Sequence, residues 1–222
     1  MITLIVATRN KHKAQEIQAI LGAEFRLLDL HSFPNAPAIA EDAPTFEGNA
    51  LKKAVELASW LTQTSKSSAV DWSAALTLAD DSGLEVDALN GAPGVHSARY
   101  AALADGSASA TAGNSPDLAN NAKLLGLLKD VPLSLRTGRF RCVLALAPVY
   151  ANPKISQPLF FEGKCEGTIG FAPKGKSGFG YDPLFTPLGH AQTFAELGEK
   201  VKNTMSHRAR ALGKLKGFLC SW

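Results

Sequence analysis

The chain has 222 residues, 45% of them apolar and 19% charged, which is enough to bury a sizeable core and predicts a single globular domain over residues 1–222. Its formal net charge is only +3, with no run of Lys or Arg, so a nucleic-acid duplex is a poor partner while a small anion is not. Three widely spaced cysteines, Cys142, Cys165 and Cys220, form no Cys-x-x-Cys pair. With no basic leader or long apolar segment, they predict a cytoplasmic protein free of disulfides, cysteine zinc sites and membrane spans.

Ile2 to Ala7 is a β-branched strand, and from Lys13 the residues Ala14, Ile17, Ile20 and Leu21 recur at helical spacing up to Gly22. The intervening loop, Thr8-Arg9-Asn10-Lys11-His12-Lys13, is either an anion site at a helix start or a plain capped helix with a solvated basic turn. Phe25 to Leu30 predicts a second strand, and a Pro-rich loop through Pro34, Pro37 and Pro44 carries Glu41 and Asp42. Thr45 caps a helix whose buried stripe is Ala50, Ala54, Leu57, Ala58 and Leu61. Lys53 lies within it, either solvated or a ligand.

Gln63 to Ala74 is Ser/Thr-rich and predicts a surface loop. Leu76 to Leu84 then delivers Asp80 and Asp81 before Gly83, as a buried strand ending at a polar rim where the acids hold a cation, or as a turn with solvated acids. A second short strand is expected from Leu84, followed by a turn at Asn90 to Gly94 and a small-residue loop from Gly106 to Pro116. Leu118, Ala122, Leu125 and Leu128 mark a helix from Asp117, ended by Pro132. Arg139 to Tyr150 and Leu159 to Phe171 predict two long strands of a mixed sheet, and a last helix spans Ser206 to Leu219.

Gly170 to Ser177 matches the G-x-x-x-x-G-K-[ST] spacing of a phosphate-binding loop. That spacing works only where a helix starts at the Lys-Ser, and Gly178, Gly180 and Pro183 follow instead, so a plain loop is expected. The next segment, Ser177-Gly178-Phe179-Gly180-Tyr181-Asp182-Pro183, offers aromatic faces beside a carboxylate. Such faces stack on bases, or else they are core aromatics beside a turn. Lys202 and Ser206-His207-Arg208 bring three donors near a helix start, either to grip oxygens or as neighbours of an ordinary N-cap. No signature of covalent catalysis is present.

Taken in order, Ala7-Thr8-Arg9-Asn10 with Lys13, Thr45-Phe46 and Asn49-Ala50 with Lys53, Ala79 to Leu84, Gly91 to Tyr100, Gly178 to Pro183 and Ser206-His207-Arg208 jointly resemble the inosine triphosphate pyrophosphatases, or non-standard purine nucleoside triphosphate pyrophosphatases. The resemblance implies an elongated α/β fold with a central mixed sheet flanked by helices, two lobes with a nucleotide cleft between them, and a homodimer. It implies hydrolysis of ITP, dITP or XTP to the monophosphate and pyrophosphate with Mg2+. Carried over by position, Glu41 and Asp81 would hold the metal, with Asp81 also orienting or deprotonating the water and Asp80 supporting them. Thr8, Asn10, Lys13 and Lys53 would cradle the phosphates, and Ser82 would also touch substrate. Phe179 would stack on the base, with Asp182, Lys202, His207 and Arg208 lining its pocket.

Relatives often carry Gly at the places of Arg9 and His12 and Glu at that of Gly48, and the 63–74 and 106–116 loops look like insertions. Two other readings are kept. The opening Ala-Thr-x-Asn-x-x-Lys also resembles the Maf pyrophosphatases, which the Ser-His-Arg and Gly-Phe-Gly-Tyr-Asp segments argue against. A non-enzymatic nucleotide-binding module is the other.

Overall fold

The N-terminal apolar run forms β1 (Thr3–Val6), every residue of it buried, in a computed structural model that describes residues 1–64, 70–103 and 114–221. α1 (Lys11–Leu21) follows, starting two residues before the apolar periodicity because Asn10 caps it, its side chain accepting from Lys13 N at 3.1 Å. β2 (Arg26–Asp29) returns parallel to β1. α2 (Phe46–Thr64) is capped as its sequence predicts, Thr45 Oγ1 accepting from Gly48 N at 3.1 Å, and the expected Ala/Leu stripe is its buried face.

β3 (Ala75–Val86) pairs with the other side of β1, also parallel, with Val6 opposite Leu78. This strand corrects two expectations. It does not end at the Asp pair but runs through Asp80, Asp81, Ser82 and Gly83 without a break, and the separate strand from Leu84 is its second half. Turn preferences of Asp, Ser and Gly are local and weak; here buried partners satisfy the side chains, and the ladder carries the backbone onward.

A 3-10 turn over Gly94–Ala102 leads toward α3 (Asp117–Leu127), then β4 (Thr137–Pro148) and β5 (Leu159–Ile169). β6 (Phe185–Pro187) pairs antiparallel with β5, so the six-stranded sheet, ordered β2-β1-β3-β4-β5-β6, is mixed as expected. α4 (Phe194–Met205) and α5 (His207–Cys220) close the chain. Periodicity does not announce α4, yet its capping box, Thr193 reciprocated by Glu196, was readable as Thr-x-x-Glu. The phosphate-loop look-alike at Gly170 to Ser177 starts no helix. In the first small-residue loop, Asp71 caps a 3-10 turn at Trp72–Ala74; residues 65–69, and 106–113 of the second loop, lie outside the described residues.

The chain divides into two compact units: Met1–Asp81 with Cys142–Glu162 and Ala211–Trp222, and Ser82–Arg141 with Gly163–Arg210. In the first, Leu4 and Val6 of β1, Ile17 of α1, Leu76 of β3, Leu144 of β4 and Leu215 of α5 share one core. The second core gathers Leu84, Tyr100, Leu124, Phe140, Ile169 and Phe185.

Candidate active site

In the first unit the parallel register of β1 and β3 brings the loop leaving β1 to the level of Asp80, at the carboxyl ends of β1 and β2 and midway along the longer β3. Lys13, in the first turn of α1, reaches Asp80 Oδ1 at 2.6 Å, while Asp80 Oδ2 accepts from the Cys142 thiol at 3.2 Å. Thr8 and Asn10 serve the local backbone, Thr8 Oγ1 accepting from Asn10 N.

Asp81 faces the other way along the strand, as alternation requires, toward α2. Lys53 Nζ donates to Asp81 Oδ1, to Glu41 Oε1 and to the Asp80 carbonyl, each at 2.9 Å. Lys53 is 6% exposed and Asp81 5%; the solvated readings of both do not hold. Asn49, one helical turn before Lys53 on the same face of α2, is fully buried. Its Nδ2 donates to Asp81 Oδ2 at 3.3 Å and its Oδ1 accepts from Ala43 N at 2.9 Å. Asn49 therefore ties Asp81 to the loop that carries Glu41, a role its helical spacing from Lys53 could have signalled.

Burial alone would lower the Lys53 ammonium, but the charges of Asp81 and Glu41 outweigh it and hold its pKa above the usual lysine value. For Asp81 burial wins over Lys53 and Lys13, and its carboxyl is held above the usual aspartate value. The Glu41 loop has two further anchors. Arg9 Nη2 donates to the Ala36 carbonyl at 2.6 Å, so this arginine holds backbone here. Gly48 lets Ala43 approach α2: a Cβ there would stand 2.7 Å from Ala43 Cβ.

In the second unit, Asp182 is the hub. Its Oδ2 accepts from Lys202 Nζ at 2.6 Å and from Phe179 N at 3.0 Å, with Lys202 and Asp182 both 2% exposed. Lys202 Nζ also lies 4.5 Å from the Phe179 ring centroid and the Arg208 guanidinium 5.9 Å from it, so the half-buried ring has cations over its face. Arg208 Nη2 donates to Ser82 Oγ at 2.8 Å. His207 stacks on Phe140 with centroids 4.8 Å apart and planes inclined by 14°.

Tyr181 resolves differently from Phe179: it is a core aromatic whose hydroxyl donates to the Ser97 carbonyl at 2.9 Å, and burial pushes its pKa upward. The loop geometry requires Gly178, with φ +77° and a hypothetical Cβ 2.2 Å from Asp182 Oδ2. A glycine is what allows the Asp182 carboxylate to fold back on the loop.

Chemically, the first unit holds buried acids with two lysine ammoniums, suited to a polyanion and a hard cation. The second holds an aromatic face edged by one carboxylate and several donors, suited to a heterocyclic base. Among the described residues no group of three or more His, Cys, Asp or Glu side chains stands arranged for a metal ion, and no helix is long and apolar enough to cross a membrane.

Comparison with known proteins gives a consistent result. The model of the Ham1 family matches residues 4–218. The dITP/XTP pyrophosphatase of Geobacter sulfurreducens is 47% identical over 220 residues, covering 99% of this chain and 97% of the relative. That of Shouchella clausii is 44% identical over 216 residues, covering 97% and 96%. Among solved structures, a HAM1 protein from Coxiella burnetii superposes with a TM-score of 0.78 at 36% identity, covering all of both chains. The Ham1 protein of Staphylococcus aureus gives 0.77 at 31%, covering 99% of this chain and 98% of that one.

Proposed function

The chain belongs to the Ham1 family, and from that premise we propose that it hydrolyses non-standard purine nucleoside triphosphates, ITP, dITP and XTP, to the monophosphate and pyrophosphate. The observation that carries the reading is the buried Lys53, whose ammonium draws Glu41 and Asp81 to one point. The enzyme acts on the cytoplasmic nucleotide pool as a homodimer.

Lys13, Lys53 and the α1 start, with Thr8 and Asn10, neutralise and hold the triphosphate. Glu41 and Asp81 offer only carboxylate oxygens, both 2.9 Å from the same ammonium, a donor set that fits a hard divalent ion such as Mg2+ with most of its waters kept. When bound there, with Asp80 in support, the ion supplies charge neutralisation at the phosphates. Asp81 orients the attacking water and takes its proton; a carboxyl held above the usual aspartate value is the stronger base. The water oxygen bonds to the α-phosphorus, the α–β anhydride bond breaks, and pyrophosphate leaves with the electron pair. No protein nucleophile is needed. Asn49 keeps Asp81 in place by holding its second oxygen.

Phe179 stacks on the base, and Asp182, Lys202, His207, Arg208 and Ser82 complete its surroundings. The 6-keto oxygen of hypoxanthine or xanthine accepts from Arg208 or Lys202, whereas adenine presents an amino donor there and forfeits that bond, at about 1–3 kcal/mol. Pyrophosphate release from ITP, dITP, XTP, GTP and ATP with magnesium tests the reading. Turnover of the first three over ATP is expected; tight binding without pyrophosphate would make the chain a non-enzymatic module instead.

A further inference from the structure

α3 presents two side chains to one residue of the loop that carries Phe179. Asp117 Oδ2 accepts from Gly180 N at 2.6 Å, and Asn121 Nδ2 donates to the Gly180 carbonyl at 3.1 Å. Four residues apart, the two lie on one face of the helix. A rigid element thus grips both backbone groups of a residue held at φ +63°. Between them Asn120 anchors α3 in a second direction, its Oδ1 accepting from Ala101 N at 2.8 Å and its Nδ2 donating to the Ala98 carbonyl at 3.3 Å. Phe179 directly precedes the gripped residue and Asp182 follows two later, so the grip fixes the backbone on which both are mounted.

Asn121 is 4% exposed, and its Oδ1 is buried with no hydrogen-bond partner among the described residues. A buried amide satisfied at one end only is a liability for stability, so its presence is explained by what the other end holds. The Gly180 carbonyl can only accept, which fixes the amide's orientation.

We propose that Asp117 and Asn121 are positioning residues for base recognition, holding Gly180 so that the Phe179 ring and the Asp182 carboxylate are set before the purine arrives. The inference rests on the reading of this pocket as the purine site. A loop ordered in advance loses less freedom on binding, and release of either grip raises KM for ITP about 10-fold, the scale of ordering one or two side chains, with a smaller change in kcat.

Asp117 also begins α3, where a carboxylate favours the helix dipole, so truncation by itself does not separate the roles. Asp117→Asn keeps an acceptor for Gly180 N and drops the charge, while Asp117→Ala drops both. Asn121→Asp keeps the size and removes the donor. Steady-state kinetics on ITP and ATP, paired with hydrogen exchange of the 178–182 backbone in the absence of nucleotide, make the test. Asp117→Asn is expected to match the wild type in KM, in ITP-over-ATP preference and in exchange. Asp117→Ala and Asn121→Asp are expected to exchange faster and to lose KM and preference together. Unchanged exchange in those two variants, or damage in Asp117→Asn equal to that in Asp117→Ala, overturns the inference while leaving wild-type turnover intact. A wild type that hydrolyses no purine triphosphate overturns the functional reading itself, and the purine role of the grip with it.

Discussion

Asn49 holds Asp81 from the side opposite Lys53: its Nδ2 meets Asp81 Oδ2 at 3.3 Å while Lys53 takes Oδ1 at 2.9 Å. The same amide accepts from Ala43 N, so the strand that carries Asp81 and the loop that carries Glu41 are registered through one side chain of α2. Asn49→Ala leaves the Ala43 N–H and an Asp81 oxygen unsatisfied. It is expected to lower unfolding free energy by about 1–3 kcal/mol in a urea titration. Turnover of ITP should fall roughly 10–100-fold, the usual loss for a residue that orients a ligating carboxylate.

Lys53→Met removes the ammonium shared by Asp81 and Glu41 and takes from the buried Asp81 carboxylate its nearest counter-charge. A loss of about 3–5 kcal/mol at pH 8 is expected. The sign with pH follows from the direction of the Asp81 shift, which is upward through burial and more so once Lys53 is gone. A folded-state pKa above the unfolded one means that the native form binds the proton more tightly, so stability is present below the ordinary aspartate value and lost as pH rises through the folded pKa. The variant should therefore gain stability relative to wild type between pH 8 and pH 5, and Lys53→Met combined with Asp81→Asn should recover part of the loss at pH 8.

Gly178→Ala and Gly189→Ala separate backbone strain from collision. Both residues have left-handed φ, +77° and +86°, but an added Cβ meets Asp182 Oδ2 at 2.2 Å only at Gly178; at Gly189 nothing lies within 4 Å. Each change carries about 1–2 kcal/mol of conformational strain, visible as a lowered Tm. Only Gly178→Ala is expected to raise KM for ITP, because it displaces the carboxylate that holds Lys202 and Phe179 N.

Arg208→Ala should narrow the preference for ITP over ATP by about 5- to 150-fold, the equivalent of the 1–3 kcal/mol assigned to the base hydrogen bond that adenine forfeits. Competition between the two nucleotides in one assay reads this ratio directly. An unchanged ratio would show that the 6-keto group is recognised elsewhere.

Thiol chemistry offers a check that needs no substrate. Cys220 is exposed, Cys142 and Cys165 are buried, and burial pushes the Cys165 thiol up to about 11. At pH 8 the native protein should react promptly at one thiol and in denaturant at three, since the thiolate is the reacting form.

Much of this was legible in the residues. The stripe of α2, the Thr45 cap, the strand-loop-helix start with a second strand after it and the final helix follow from spacing and capping, which act within a turn or two of the chain. The rejection of the phosphate-loop spacing at Gly170 to Ser177 was equally local, resting on the glycines and proline that follow it. Less visible were β6, a three-residue strand too short to show a period, and the continuity of β3 through the Asp pair.

The chain by itself determined which side chains can carry the chemistry: two adjacent carboxylates at the end of an apolar run, a lysine in the stripe of a helix, and an aromatic between glycines next to an aspartate. These are matters of residue type and spacing, and a family resemblance could be built on them. Only the tertiary structure decided which of the alternatives each side chain takes. Lys53 is a buried partner of Asp81 and Glu41 because α2 packs that face inward. Tyr181 is core while Phe179 keeps a face beside cations, because Gly180 turns the backbone between them. Asn49, Asp117 and Asn121 acquire roles only through atoms far along the chain, and partnerships of that kind leave no period in a sequence.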